Sequence, residues 1–143
     1  MNKSEQALNL FSQGFNCSQV ILSLFCEDYG LNRQAALKMA CGFGGGLCQG
    51  EMCGAVSGAV MVLGLKYGQS EKDDNDAKEK TYDVVNAFCN QFKAINGSII
   101  CNDLLDTDLS QENARKIARE KGLFKKVCPK VIADAVNILE EMI

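Results

Sequence analysis

Apolar residues recur along the chain at the three-to-four residue spacing of amphipathic helices, and stretches that alternate apolar with polar residues are scarce, so the pattern predicts helices throughout. Asn2 or Ser4 can cap a first helix that Gly14 ends. Asn16, followed three residues later by Gln19, has the form of a capping box and opens a second helix ended by Gly30. Asn32 opens a third that runs to about Cys41. Gly42–Gly50 (GFGGGLCQG) then reads as a glycine-rich loop, and Cys53–Tyr67 as a helix in spite of its glycines. Gly54 with Gly58, and Ala55 with Ala59, stand one turn apart and leave a smooth face that a second helix can approach closely. Glycine lowers intrinsic helix stability, so packing has to compensate.

Ser70 and the charged run from Glu71 to Lys80 lead into a long helix whose inner face is marked by Val84, Val85, Phe88, Phe92 and Ile95 and which Gly97 ends. Ser98 starts a short helical segment through Leu105, and Ser110 caps another ended by Gly122. Pro129 suits the first position of a last helix to Met142, where its missing N–H costs nothing. The expected architecture is all-α, a compact single-domain bundle of about six to seven helices spanning residues 1–143.

Composition narrows the function classes. With 143 residues of which 47% are hydrophobic, the chain can bury a core without metals or disulfides as staples. A net charge of −3 offers no broad basic field, which disfavours nucleic acid and anionic membrane surfaces as partners. Met1–Leu10 lacks the continuous apolar run of a secretory signal. The longest apolar stretch, Ala55–Leu65, is broken by Ser57, Gly58 and Gly64 and falls well short of the roughly 20 residues a membrane span requires. A cytoplasmic protein without a membrane span is expected.

Eight cysteines change that bland picture. In a reducing compartment they argue for metal binding or redox chemistry rather than a permanent disulfide framework. The count of histidines is 0, which removes Cys-His and Ser-His catalysis and mixed Cys/His zinc sites. Four cysteines are expected at helix N-termini: Cys17 at the first position of its helix, Cys53 near the start of the glycine-rich helix, Cys101 in the first turn of its segment, and Cys128 just before Pro129. Unpaired N–H groups there favour a thiolate by roughly 0.3–1 kcal/mol. Lys125, Lys126 and Lys130 add positive charge near Cys128. Each of the four heads an apolar stripe, so its side chain should point inward.

Cys26 and Cys89 lie inside apolar helical stretches and read as structural, whereas Cys41 and Cys48 bracket the glycine-rich loop and could supply a resolving thiol. No C-x-x-C occurs, so any site must be assembled by tertiary folding. Thiolates gathered at converging helix ends could form a reversible disulfide or hold an iron-sulfur cluster or zinc. The loop lacks the Lys-Ser/Thr of a P-loop and the preceding strand of a dinucleotide fold. Its expected role is to let backbone pass close to Cys53 or to form an anion-binding nest beside it.

Asn16–Gln19 (NCSQ), Gly42–Gly46 (GFGGG), Cys53–Ala59 (CGAVSGA), Leu63–Gly68 (LGLKYG) and the later Cys101 and Cys128 together resemble the redox-active family labelled C_GCAxxG_C_C over nearly the whole chain. The label's central letters run Gly-Cys-Ala, where this chain has Cys53-Gly54-Ala55. The resemblance implies a redox role in proteins often associated with anaerobes, without a defined substrate. Part of the split-Soret cytochromes is similar to that family, which brings in an iron-sulfur cluster, but the chain has no C-x-x-C-H and should attach no c-type haem.

Three readings stand at this point. The first is a thiol-based redox protein in which Cys17, Cys53, Cys101 and Cys128 cycle between thiol and disulfide with a redox partner of unknown identity. The second is an iron-sulfur or other metal-binding protein with the same four as ligands. The third is a non-catalytic interaction module whose cysteines are core. Whether the chain forms a homo-oligomer is left open.

Overall fold

A computed structural model describes residues 1–143 and contains eight α-helices, against the six to seven expected, with no strand beyond one isolated bridge. In chain order they are α1 (Lys3–Ser12), α2 (Cys17–Phe25), α3 (Arg33–Ala40), α4 (Gly54–Tyr67), α5 (Asn75–Asn96), α6 (Cys101–Leu105), α7 (Ala114–Glu120) and α8 (Leu123–Met142). None is long and apolar enough to cross a membrane.

Local chemistry accounts for half of the helix starts, those of α1, α2, α3 and α5. Asn2 closes a capping box with Glu5, and Asn16 closes one with Gln19: the Gln19 N–H donates to Asn16 Oδ1 and the Asn16 N–H to Gln19 Oε1, both at 3.0 Å. Asn32 Oδ1 accepts from the Ala35 N–H at 3.0 Å and starts α3. The second helix is shorter than expected, because α2 gives way at Phe25 to a tighter turn over Cys26–Tyr29 before Gly30.

Asp74, within the charged run, caps α5, accepting from the Ala77 N–H. Three expectations at helix boundaries and faces are corrected. Ser110 caps nothing; its hydroxyl and N–H both donate to the Asp108 carboxylate, and α7 starts after Asn113 in a left-handed conformation. Pro129 lies inside α8, which begins at Leu123; there it offers no N–H to the Lys125 carbonyl and its ring crowds that carbonyl, a cost that the packing of α8 has to offset. Ile95 is 54% exposed and leaves the inner face of α5 to Val84, Phe88 and Phe92.

The core is organised around α4, a helix with no charged residue before Lys66 and eight buried positions between Gly54 and Leu63. A helix that is apolar all round has to be enclosed, and α2, α5 and α8 pack against it. Phe88 and Phe92 stack at 6.1 Å between ring centroids in the α5 contribution. The tightest approach is to α2. A Cβ on Gly58 would lie 2.9 Å from both the Ile21 Cβ and the Ser18 carbonyl oxygen, and one on Gly54 would lie 3.0 Å from the Ser18 nitrogen. The smooth face read from the Gly54/Gly58 spacing is therefore where α2 lies. A smaller apolar cluster of Cys101, Leu105, Leu109 and Ala118 sits beneath α6 and α7, and Phe124 and Val127 of α8 pack against both clusters.

Candidate functional site

The close approach of α2 and α4 brings their N-terminal ends together and with them Cys17 and Cys53. A Cβ on Gly54 would stand 3.1 Å from the Cys17 Cβ, so glycine at that position is what lets the two cysteines share a site. Cys101 is tied in by backbone pairing. Met52 and Ile100 form an antiparallel bridge flanked by Cys53 N–H to Ile99 O at 2.7 Å and Cys101 N–H to Glu51 O at 2.6 Å. Side chains alternate across such a pair, so Cys53 and Cys101 both turn away from the face of Met52 and Ile100. Helix α8 packs against α2, α4 and α6 and carries Cys128 on its buried face.

All four cysteines line one cavity of about 730 Å³, and Cys41 and Cys48 join them at its outer part. Cys17, Cys53, Cys101 and Cys128 are between 4% and 8% exposed, whereas Cys41 and Cys48 are exposed. Cys26 and Cys89 lie outside the cavity: Cys26 is fully buried with its thiol donating to the Ser23 carbonyl at 3.6 Å, and Cys89 packs at the edge of the main core. Burial pushes both of those thiols up.

The electrostatics reverse the expectation for the helix ends. Cys17 does occupy the first position of α2, Cys53 the cap of α4 and Cys101 the first position of α6, yet all three are raised. Burial is the largest cause for Cys53, pushed up to about 11, and for Cys101, pushed up to about 12. The Ala55 and Val56 amides favour the Cys53 thiolate without closing a cap hydrogen bond, and they are outweighed. Cys128, by contrast, is the sixth residue of α8 and not at a helix N-terminus, and it is the one thiol that is lowered. Its cause is the neighbouring Cys17 thiol, brought near by the packing of α2 against α8. Cys128 in turn raises Cys17, with burial and the neighbouring thiolates adding to it. The two thiols therefore titrate together, with negative charge favoured on Cys128.

The lysines do not produce that shift. Lys130 is held by Asp134 at 2.7 Å and Asn96 at 2.9 Å, and only Lys125 of the three reaches the cavity wall. Two further cations escaped the sequence reading. Arg115 and Arg119, one turn apart on α7, also line the cavity, and Arg115 Nη1 donates to the Cys48 sulfur at 3.6 Å. Their i,i+4 spacing put them on one face, but nothing in the sequence said which way α7 would turn that face.

The glycine-rich loop folds back on itself. After a short turn over Cys41–Phe43, Gly45, Gly46, Leu47 and Cys48 are all left-handed, with φ between 60° and 63°. Leu47 and Cys48 carry a Cβ in a conformation that costs roughly 1–2 kcal/mol per residue, so this turn is strained. The loop passes Gly54, next to Cys53, where a Cβ would lie 3.4 Å from the Phe43 carbonyl oxygen, and it approaches Asn16 and Cys101 more closely still. A Cβ would come within 2.6 Å of the Asn16 amide at Gly44 and within 2.9 Å of the Cys101 Cβ at Gly46.

As arranged, no three side chains among Cys, Asp and Glu are disposed to hold one metal ion, so ligation by the four cysteines would require them to turn toward a common point. What the geometry does offer is a buried thiol beside a neighbouring sulfur of lowered pKa, at the base of a cavity with a cationic rim. Comparison with curated proteins and with solved structures finds no match. The family described as "Putative redox-active protein (C_GCAxxG_C_C)" matches residues 15–142, which include all eight cysteines, and the chain belongs to that family.

Proposed function

We propose that the protein is a thiol–disulfide redox protein whose working couple is Cys128 and Cys17. What supports this reading is that Cys17 and Cys128 lie together on the buried wall of one cavity, where the neighbouring Cys17 thiol holds Cys128 below its ordinary range and makes it the readier nucleophile. In the forward direction the Cys128 thiolate attacks one sulfur of a substrate disulfide. A mixed disulfide forms and the first substrate thiolate leaves. Cys17 then gives up its proton to that thiolate and attacks the Cys128 sulfur, forming the Cys17–Cys128 disulfide and releasing the second substrate thiolate. The protein loses two electrons and the one proton that Cys17 held, and the substrate gains them, leaving as one thiol and one thiolate. A dithiol partner running the same exchange in reverse restores the reduced protein.

Burial supports this division of labour. Cys17, Cys53 and Cys101 stay protonated at neutral pH and react slowly with solvent oxidants, which suits a protein of a reducing cytoplasm. The test is anaerobic purification with metal analysis, followed by equilibration in redox buffers between about −300 and −120 mV and mapping of disulfides by mass spectrometry. A Cys17–Cys128 disulfide that forms reversibly in metal-free protein is expected. Stoichiometric iron and sulfide, or zinc, would support the metal-binding alternative, and four thiols that stay reduced in metal-free protein would support the interaction module. Either outcome overturns the proposal.

A further inference from the structure

We infer that the cavity above the thiols admits a low-molecular-weight disulfide carrying carboxylates on an apolar body, recognised by Arg115 and Arg119. The inference rests on the dithiol reading above and adds to it the class of substrate.

Charge is the first argument. Acidic residues outnumber basic ones in the chain, 18 to 15, yet the cavity lining contains Arg115, Arg119 and Lys125 and no Asp or Glu. None of these three cations is neutralised within the fold, since the only ion pair joins Lys130 to Asp134. Arg115 meets a sulfur instead of a carboxylate, the Cys48 contact at 3.6 Å. Two guanidinium groups one helical turn apart, exposed and unpaired, form a receptor suited to carboxylates, which they can bind with paired N–H donors.

Shape and polarity are the second argument. The cavity volume of about 730 Å³ lies within the roughly 300–1,000 Å³ usual for small-molecule sites. Its walls are mainly apolar, with Phe11, Phe15, Phe124 and Leu104 among them, while its cations are exposed and its four inner thiols are buried. A ligand with charge at one end and an apolar body would place its anion at the rim and its body against the phenylalanines. A disulfide within that body would then be directed inward toward Cys128.

The test compares two aromatic disulfides of similar size, 5,5′-dithiobis(2-nitrobenzoate), which is anionic, and 4,4′-dithiodipyridine, which is neutral at pH 7. Reduced protein is mixed with each, quenched in acid, alkylated and analysed by mass spectrometry for the Cys17–Cys128 disulfide, so that reaction at the outer cysteines is not counted. The double variant Arg115→Gln/Arg119→Gln is expected to slow disulfide formation by the anionic reagent about tenfold, the scale of two exposed ionic contacts, and to leave the neutral reagent within about twofold. The neutral rate also reports that the variant is folded. Added salt should reduce the preference of the wild-type protein for the anionic reagent. An unchanged ratio of the two rates in the double variant overturns the anion site and leaves the dithiol reading standing. Failure of both reagents to produce the disulfide in wild-type protein overturns the dithiol reading and the substrate class with it.

Discussion

Gly58→Ala, read beside Gly64→Ala on the same helix, isolates the contact on which the site depends. Both positions are interior to α4 and neither has a positive φ, so each alanine gains about 1 kcal/mol of helix propensity. Their surroundings differ completely. A Cβ at Gly64 meets nothing within 4 Å, while one at Gly58 falls 2.9 Å from the Ile21 Cβ and from the Ser18 carbonyl oxygen and 3.2 Å from the Ser18 Cα. None of those atoms is the free end of a flexible side chain, so α2 as a whole has to retreat, at an overpacking cost of about 1–3 kcal/mol.

Propensity cancels in the comparison, which leaves overpacking as the difference. Gly64→Ala should stabilise the reduced protein by about 1 kcal/mol and raise Tm by about 3 °C, whereas Gly58→Ala should be neutral to about 2 kcal/mol destabilising. Denaturant and thermal unfolding under reducing conditions measure both. Because Ser18 follows Cys17 directly, the displacement should also slow formation of the Cys17–Cys128 disulfide in Gly58→Ala and not in Gly64→Ala. If Gly58→Ala proves as stable as Gly64→Ala, the α2–α4 contact is soft and does not position Cys17.

Cys17→Ala removes the thiol that lowers Cys128, so alkylation of Cys128 at neutral pH should slow, whereas Cys17→Ser keeps a hydrogen-bond donor there and should retain more of the rate; equal rates in both variants would refute the assignment of the shift to Cys17. Cys53 is raised to about 11 in the folded protein, so its contribution is present below the unfolded value near 9 and is lost as pH rises through 11. On the order of 3 kcal/mol is at stake for a shift of this size, and Cys53→Ala should flatten the fall in stability over that window as followed by denaturant unfolding. Leu47→Gly relieves a left-handed residue that is 49% exposed and should stabilise by about 1 kcal/mol in the same assay.

What could be read from the sequence was local chemistry and spacing. The Asn16/Gln19 box, the Asn32 cap and the small face of Gly54 and Gly58 each involve residues within a turn or two of one another. Features that depend on distant partners could not be read. Pro129 looked like a helix start because that position costs it nothing, but it lies inside α8, where packing against α1, α2, α4 and α5 has to outweigh the lost bond to the Lys125 carbonyl and the clash with it. Cys128 seemed to owe its acidity to nearby lysines, yet the group that lowers it is a thiol on another helix. Leu47 and Cys48 gave no sign of a left-handed turn, since only their glycine neighbours favour that conformation. Arg115 and Arg119 needed the placement of α7 against α8 before their side of the cavity existed.

The same distribution of charge bears on how many electrons the protein carries. The Cys128 charge is one of the causes that raise both Cys53 and Cys101, and forming the Cys17–Cys128 disulfide removes it. Those two thiols must therefore become somewhat more acidic on oxidation. Burial is the larger cause for each, however, and it does not change when a neighbouring disulfide forms, so both stay above the ordinary thiol range. Attack by a thiol proceeds through its thiolate, so a second disulfide between Cys53 and Cys101 has no ready nucleophile at neutral pH. Thiol titration across the redox transition should accordingly show the inner set losing two thiols and not four. A loss of four at pH 7 would mean that burial does not restrain Cys53 and Cys101 as argued.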